Sequence, residues 1–210
     1  MIVKAVLFDM DGTIVDSVPT WYKTFNQALE QTGGKLITFE YFCTEILGQS
    51  TEEDVRRFFP KLSSEQLAEL YGQLFPDNIQ SVQLFPETIF VLDYLEENGI
   101  LKGVVTNTPS ELMMLTLETL KIKDRFDIIL GGNDVSIGKP APEIIHKACK
   151  ELKVKEKETI MVGDTKSDTE AGKKAGCHTI GVRTKGDSTV EDLSELVHLL
   201  DKLRREQSSP

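Results

Sequence analysis

Cysteine is scarce in these 210 residues: the three present, Cys43, Cys149 and Cys177, lie far apart and form no CxxC pair. Neither a zinc site nor a disulfide framework is indicated, and reduced thiols in a cytoplasmic protein are expected. No apolar run approaches the roughly 20 residues that span a bilayer. No basic start leads into an apolar segment of the secretory kind, so no membrane partner is expected. Positive charge is also short, with 24 Lys and Arg against 34 Asp and Glu, a net charge of −10. That balance argues against nucleic-acid binding, and an anionic ligand would need local positive charge or a metal. The three histidines, His146, His178 and His198, share no spacing with one another or with a cysteine, and read as packing or surface residues. Repeats and low-complexity segments are lacking, apart from a polar tail at 207–210 that should fray.

What is present is ordinary in bulk. Hydrophobic residues make up 40% and charged residues 28%, as in a typical globular chain. The length suits one large domain or a core with an insert. Residues 2–8 are almost wholly apolar and end at a turn signal, the pattern of a buried parallel strand. From Asp16 to Val82 the pattern is helical. Trp21, Phe25, Ala28 and Leu29 form one stripe; Tyr41, Phe42, Ile46 and Leu47 form another, closed by Gly48. A helix starts at Thr51 and ends by Pro60, and Ser64 caps one carrying Leu67, Leu70, Tyr71 and Leu74. Trp21 reads as core of this block. No strong strand is expected there.

After Pro86, helices and strands alternate. Helices are expected over 86–98, 110–120, 141–152 and 167–175, with strands over 101–105, 126–130, 159–162 and 178–182. An exposed terminal helix is expected over 190–205. This alternation predicts an α/β fold, a doubly wound parallel sheet with an inserted all-helical segment. The core comprises 1–15 and 83–210, the helical cap 16–82.

Polar clusters follow four strands. Asp9 and Asp11, two apart on an extended backbone, face the same way at a carboxyl end, where open α/β sheets bind ligands. Like charges so close call for a cation or shared proton. Thr106 and Asn107 follow the second strand, where a hydroxyl and turn amides suit an anion. Lys139 sits on a stiff Gly-Lys-Pro-Ala-Pro turn, with Pro142 where a first helical residue belongs. Asp164 ends the 159–162 strand, and Asp168 lies a turn into the next helix. Singly, each would pass for a turn or surface residue; together they supply a carboxylate nucleophile, an acid, a hydroxyl, a lysine and hard oxygen ligands suited to Mg²⁺.

The ordered set, DxDGT at Asp9, Thr106 and Asn107 at a strand end, Lys139 in GKPAPE, and GDxxxD at Asp164 and Asp168, resembles the haloacid dehalogenase-like superfamily, in its phosphatase branch with a helical cap. The resemblance covers nearly the whole chain. It implies that Asp9 attacks phosphorus while Asp11 protonates the leaving oxygen and then activates water. Thr106 would bind phosphoryl oxygens and Lys139 would neutralise Asp9 and the transferring group. Asp9, the Asp11 carbonyl and Asp164 would hold Mg²⁺, with Asp168 a ligand through water or a partner of Lys139. Asn107, and from the cap Gln49, Ser50 and Arg56, are candidate substrate contacts, with Arg56 or Arg57 gripping a second anionic group.

Asp11 argues against dehalogenases, which lack the second aspartate, and Trp21 stands where β-phosphoglucomutases usually carry a histidine. Asp16, Ser17 and Pro19 match the DSxP of phosphoglycolate phosphatases, which makes phosphoglycolate the leading substrate. Pyrophosphate, sugar phosphates, nucleotides and the mutase reaction are alternatives among small phosphorylated metabolites. A monomer or homodimer is expected. The reading from another class is a phospho-acceptor signalling module, whose acceptor aspartate lies on an interior strand and which lacks a helical insert.

Overall fold

The computed structural model describes residues 2–47, 49 and 51–205. Gly48, the candidate Ser50 and the tail at 207–210 lie outside the described residues. Strand β1 (Ala5–Phe8) leads through β2 (Val15–Asp16) into helices α1 (Val18–Thr32), α2 (Phe39–Glu45), α3 (Thr51–Phe58) and α4 (Ser64–Asn78). The chain returns through β3 (Gln83–Leu84), which pairs with β2. It then runs through α5 (Thr88–Glu97), β4 (Leu101–Val105), α6 (Ser110–Thr119), β5 (Ile128–Leu130), α7 (Glu143–Leu152), β6 (Thr159–Gly163), α8 (Lys166–Ala175), β7 (His178–Val182), β8 (Ser188–Val190) and α9 (Ser194–Arg205). The backbone divides into two compact units, 1–15 with 84–210, and 16–83.

In the first unit six parallel strands lie in the order β5-β4-β1-β6-β7-β8. The doubly wound α/β fold expected from the alternation is therefore the fold observed. All four side chains of β1 are buried, which is why its apolar run does not alternate. Phe8 is level with Val104 on one side and Val162 on the other. The residues just past β4, β1 and β6 therefore emerge side by side. β1 is interior in the sheet, so the acceptor-strand argument does not separate this chain from a signalling module; the helical insert does. On one face Leu7, Val105 and Met161 pack with Ile144, Ile145, Ala148 and Cys149 of α7 and Ala171 of α8.

The structure departs from the local expectation in three places. Helix α4 is capped by Ser63, not Ser64: Ser63 Oγ accepts from the Gln66 amide while Gln66 Oε1 accepts from the Ser63 amide, a reciprocal cap. Residues 188–190 form edge strand β8, too short and polar to register as one. The terminal helix is not an exposed one, because Leu196, Val197 and Leu200 are buried and Tyr94 of α5 donates a hydrogen bond to Asp201.

In the helical unit Phe25, Phe42, Phe59, Leu67 and Tyr71 form the core, with Phe25 edge-on to Phe42, Phe58 and Phe59. Trp21 packs 4.6 Å from Phe75. No helix among the described residues is long and apolar enough to cross a membrane.

Candidate active site

β1, β4 and β6 deliver Asp9, Thr106 and Asp164 to one sheet edge, and the loop after β5 adds Lys139. The lysine is buried, and each proton of its ammonium has an acceptor: Asp9 Oδ1 at 2.7 Å, Asp168 Oδ1 at 2.6 Å and the Val105 carbonyl at 2.8 Å. Lys139 is placed by its own backbone, since its amide donates to Asn107 Oδ1 at 2.8 Å and its carbonyl accepts from Asn107 Nδ2 at 2.9 Å. The Asn107 side chain, a candidate substrate contact, brackets the lysine's backbone.

Asp168 is set by helix capping. Thr165 is the N-cap of α8 and accepts from the Asp168 amide, while Asp168 Oδ2 accepts from the Thr165 amide at 3.0 Å and hydroxyl at 2.5 Å. Asp164 Oδ1 accepts from Thr13 Oγ1 at 2.9 Å. Gly12 between them is compulsory. Its φ is +78°, a conformation that favours glycine, and a Cβ would stand 2.8 Å from Asp164 Cγ and nearer still to Oδ2, an approach open to glycine alone. The Gly12 carbonyl is held by Arg183 Nη2 at 3.0 Å, and the guanidinium lies 5.7 Å from the Phe85 ring centre.

Carboxylate oxygens of Asp9, Asp164 and Asp168 all lie within 4.8 Å of one another. Asp11 stands apart from that trio through its side chain, which accepts from Thr108 Oγ1 at 2.6 Å. Burial pushes Asp9 well above the usual carboxylate range; Lys139 opposes the shift, and Asp168, Asp164 and Asp11 add to it. Burial and the charge of Asp168 push Asp164 up to about 6. Burial pushes the Lys139 ammonium's pKa down, but Asp9 and Asp168 outweigh it and raise it. Lys139 is therefore a fixed cation among an excess of carboxylates. That excess, built of hard oxygen donors, fits one further hard cation such as Mg²⁺.

In the helical unit Arg56 is taken up by Glu53, with contacts at 2.9 and 2.5 Å. It is Arg57 that meets Gln49, at 3.1 Å, and the Glu45 carbonyl, at 2.8 Å. Sequence reasoning missed the contacts of Thr13, Thr108 and Arg183, whose partners lie 151, 97 and 171 positions away. The Thr of DxDGT was the one visible signal among them.

A family model described as haloacid dehalogenase-like hydrolase matches residues 6–182. A phosphoglycolate phosphatase of Yersinia pestis is 31% identical over 188 residues, covering 86% of this chain and 81% of that protein. One of Aquifex aeolicus is 30% identical over 210 residues, covering 94% and 97%. Among solved structures, that of a predicted phosphoglycolate phosphatase from Haemophilus somnus has a TM-score of 0.85 over 95% of this chain and 99% of that one. At 23% identity, that likeness speaks to the fold.

Proposed function

This chain belongs to the haloacid dehalogenase-like hydrolases, and from that premise we propose that it is a Mg²⁺-dependent phosphatase cleaving a small phosphomonoester through an aspartyl-phosphate on Asp9. The observation that carries the reading is the buried lysine clamped between Asp9 and Asp168, beside a third carboxylate at the strand ends. Lys139 engages Asp9 Oδ1 and so orients the carboxylate for in-line attack on phosphorus, which needs mainly positioning and charge neutralisation. The P–O bond to the alcohol breaks as the Asp9–phosphorus bond forms, and Asp11 gives its proton to the leaving oxygen. Asp11 then takes a proton from water, which attacks the aspartyl-phosphate, releasing inorganic phosphate and restoring both carboxyl groups.

Thr106, buried at the end of β4, offers a hydroxyl to the phosphoryl oxygens. Asp9, Asp164 and the Asp11 carbonyl would hold Mg²⁺, which when bound supplies charge neutralisation at the phosphoryl group. Asp168, its oxygens bonded to Lys139 and Thr165, serves as the lysine's partner. The helical unit, residues 16–83, is the proposed cap that selects substrate, with Gln49 and Arg56 or Arg57 its polar candidates.

Phosphoglycolate is the leading substrate, supported by the Asp16-Ser17-x-Pro19 match and by the names of the curated relatives. The test is phosphate release from phosphoglycolate, pyrophosphate, sugar phosphates and nucleotides, with and without Mg²⁺, beside an Asp9→Asn control. A strong Mg²⁺-dependent preference for phosphoglycolate, lost in the control, is expected. Preference for another compound would replace the substrate, and release surviving in Asp9→Asn would refute the mechanism.

A further inference from the structure

We propose that Thr108 is a positioning residue that orients Asp11 for proton transfer. The inference rests on the hydrolytic reading above. An aspartate at a strand end turns about χ1, and its terminal torsion is broad, so a carboxyl that must meet first the leaving oxygen and then water needs a restraint. Thr108 Oγ1 donates to Asp11 Oδ2 at 2.6 Å, within the short range of hydrogen bonds to an ionised acceptor.

Thr108 is itself well fixed. Its amide donates to Thr106 Oγ1 at 3.2 Å and its carbonyl accepts from the Gly132 amide at 2.8 Å, while β-branching stiffens χ1. Its hydroxyl is not used for helix capping: α6 has Pro109 as N-cap with no side-chain cap bond. Ser110 instead ties the helix start to the loop after β5, through Asn133 at 2.7 Å and Asp134 at 2.8 Å. The loop after β4 is thus anchored on both sides, with Thr106 and Thr108 linked to each other within it.

The hydroxyl contact to Oδ2 holds the Asp11 carboxyl in one orientation through both half-reactions. General acid–base transfer is worth about 10²–10⁴ in rate, and a small misplacement costs about 10². Loss of the restraint should therefore cost about tenfold to a hundredfold.

The experiment compares Thr108→Val and Thr108→Ser with the unaltered full chain in Mg²⁺. One substrate is phosphoglycolate, or whichever alkyl phosphate of the panel turns over fastest, whose leaving oxygen needs a proton. The other is p-nitrophenyl phosphate, whose phenolate leaves without one. The Val variant should lose about ten- to a hundredfold in kcat on the alkyl phosphate, with KM within about threefold. Its burst of p-nitrophenolate should stay within about threefold of the unaltered rate, and Ser should restore kcat. Should Val pack badly, seen as a lowered Tm, Thr108→Ala carries the same comparison. An unchanged kcat, a raised KM at unchanged kcat, a burst slowed as much as alkyl turnover, or failure of Ser to rescue would each overturn the role. A wild-type chain that hydrolyses no phosphomonoester would overturn the hydrolytic reading and this inference with it. An active wild type with an unimpaired Val variant overturns the inference alone.

Discussion

Gly12 shows how little freedom the site allows a single residue. Its positive φ and the Asp164 carboxylate packed against its open face leave no room for a methyl group. Gly12→Ala should lower turnover by about a hundredfold through displacement of Asp164 and weaken Mg²⁺ binding, both readable from phosphate release at graded Mg²⁺. Lys139 is decisive in another way. Lys139→Met would leave Asp9 and Asp168 buried without their cation, a loss of about 3–5 kcal/mol by the usual cost of breaking a buried pair. Urea unfolding should show a lowered midpoint, together with loss of turnover. Asp9 and Asp164 were legible in the sequence because each closes an apolar run at a turn signal, Asp11 and Asp168 by their spacing from these two, and Lys139 because it sits on a stiff Gly-Lys-Pro-Ala-Pro turn. Thr108 and Arg183 were not, because their meaning lies in contacts made across 97 and 171 positions, and either would pass as an ordinary loop residue.

At the scale of elements, long periodic segments were readable and their edges were not. Ser63 and Ser64 are equally good caps by type, and the hydrogen-bond partner three residues on decides between them. The terminal helix was misread as exposed because its polar residues are conspicuous, while burial of Leu196 and Leu200 depends on where the rest of the sheet unit falls. Helix α3 carries a consequence of its own. Asp54 is buried, its Oδ2 accepts from the Tyr71 hydroxyl at 3.0 Å and its Oδ1 has no hydrogen-bond partner among the described residues. Burial pushes its carboxyl up to about 6, against the opposing effects of Tyr71 and Arg57, with Glu53 adding to the rise. The folded chain therefore keeps this proton after the unfolded chain has lost it. As pH rises from about 4 to about 6 stability should fall, by on the order of 3 kcal/mol, and stay reduced above that window. Asp54→Asn should remove this residue's share of the slope, leaving that of Asp9 and Asp164, and raise the Tm at neutral pH with little change near pH ~4. Thermal scans of both proteins across that range check it, and an Asn variant less stable at neutral pH would count against the assignment.

At the scale of the molecule, the decisive fact is that β1 lies between β4 and β6. Alternating helices and strands announced a parallel sheet, but strand order follows from crossovers that no local pattern records. That order gathers residues 9, 106 and 164 at one edge, and the excess of carboxylate it creates should make the fold respond to divalent cation. Mg²⁺ at about a hundred times its Kd should add about 2.7 kcal/mol to stability, seen as a raised Tm in the wild type and a much smaller rise in Asp164→Asn. Equal rises in both would place the cation elsewhere.

The most direct test of the account is to find the covalent intermediate. The wild-type chain would be mixed with Mg²⁺ and a substrate carrying a labelled phosphoryl group, quenched in acid during turnover, and mapped by peptide. The label should sit on Asp9 and be absent from Asp9→Asn. Turnover with no label on the protein, or with the label on another residue, would contradict the assignment of Asp9 as the nucleophile.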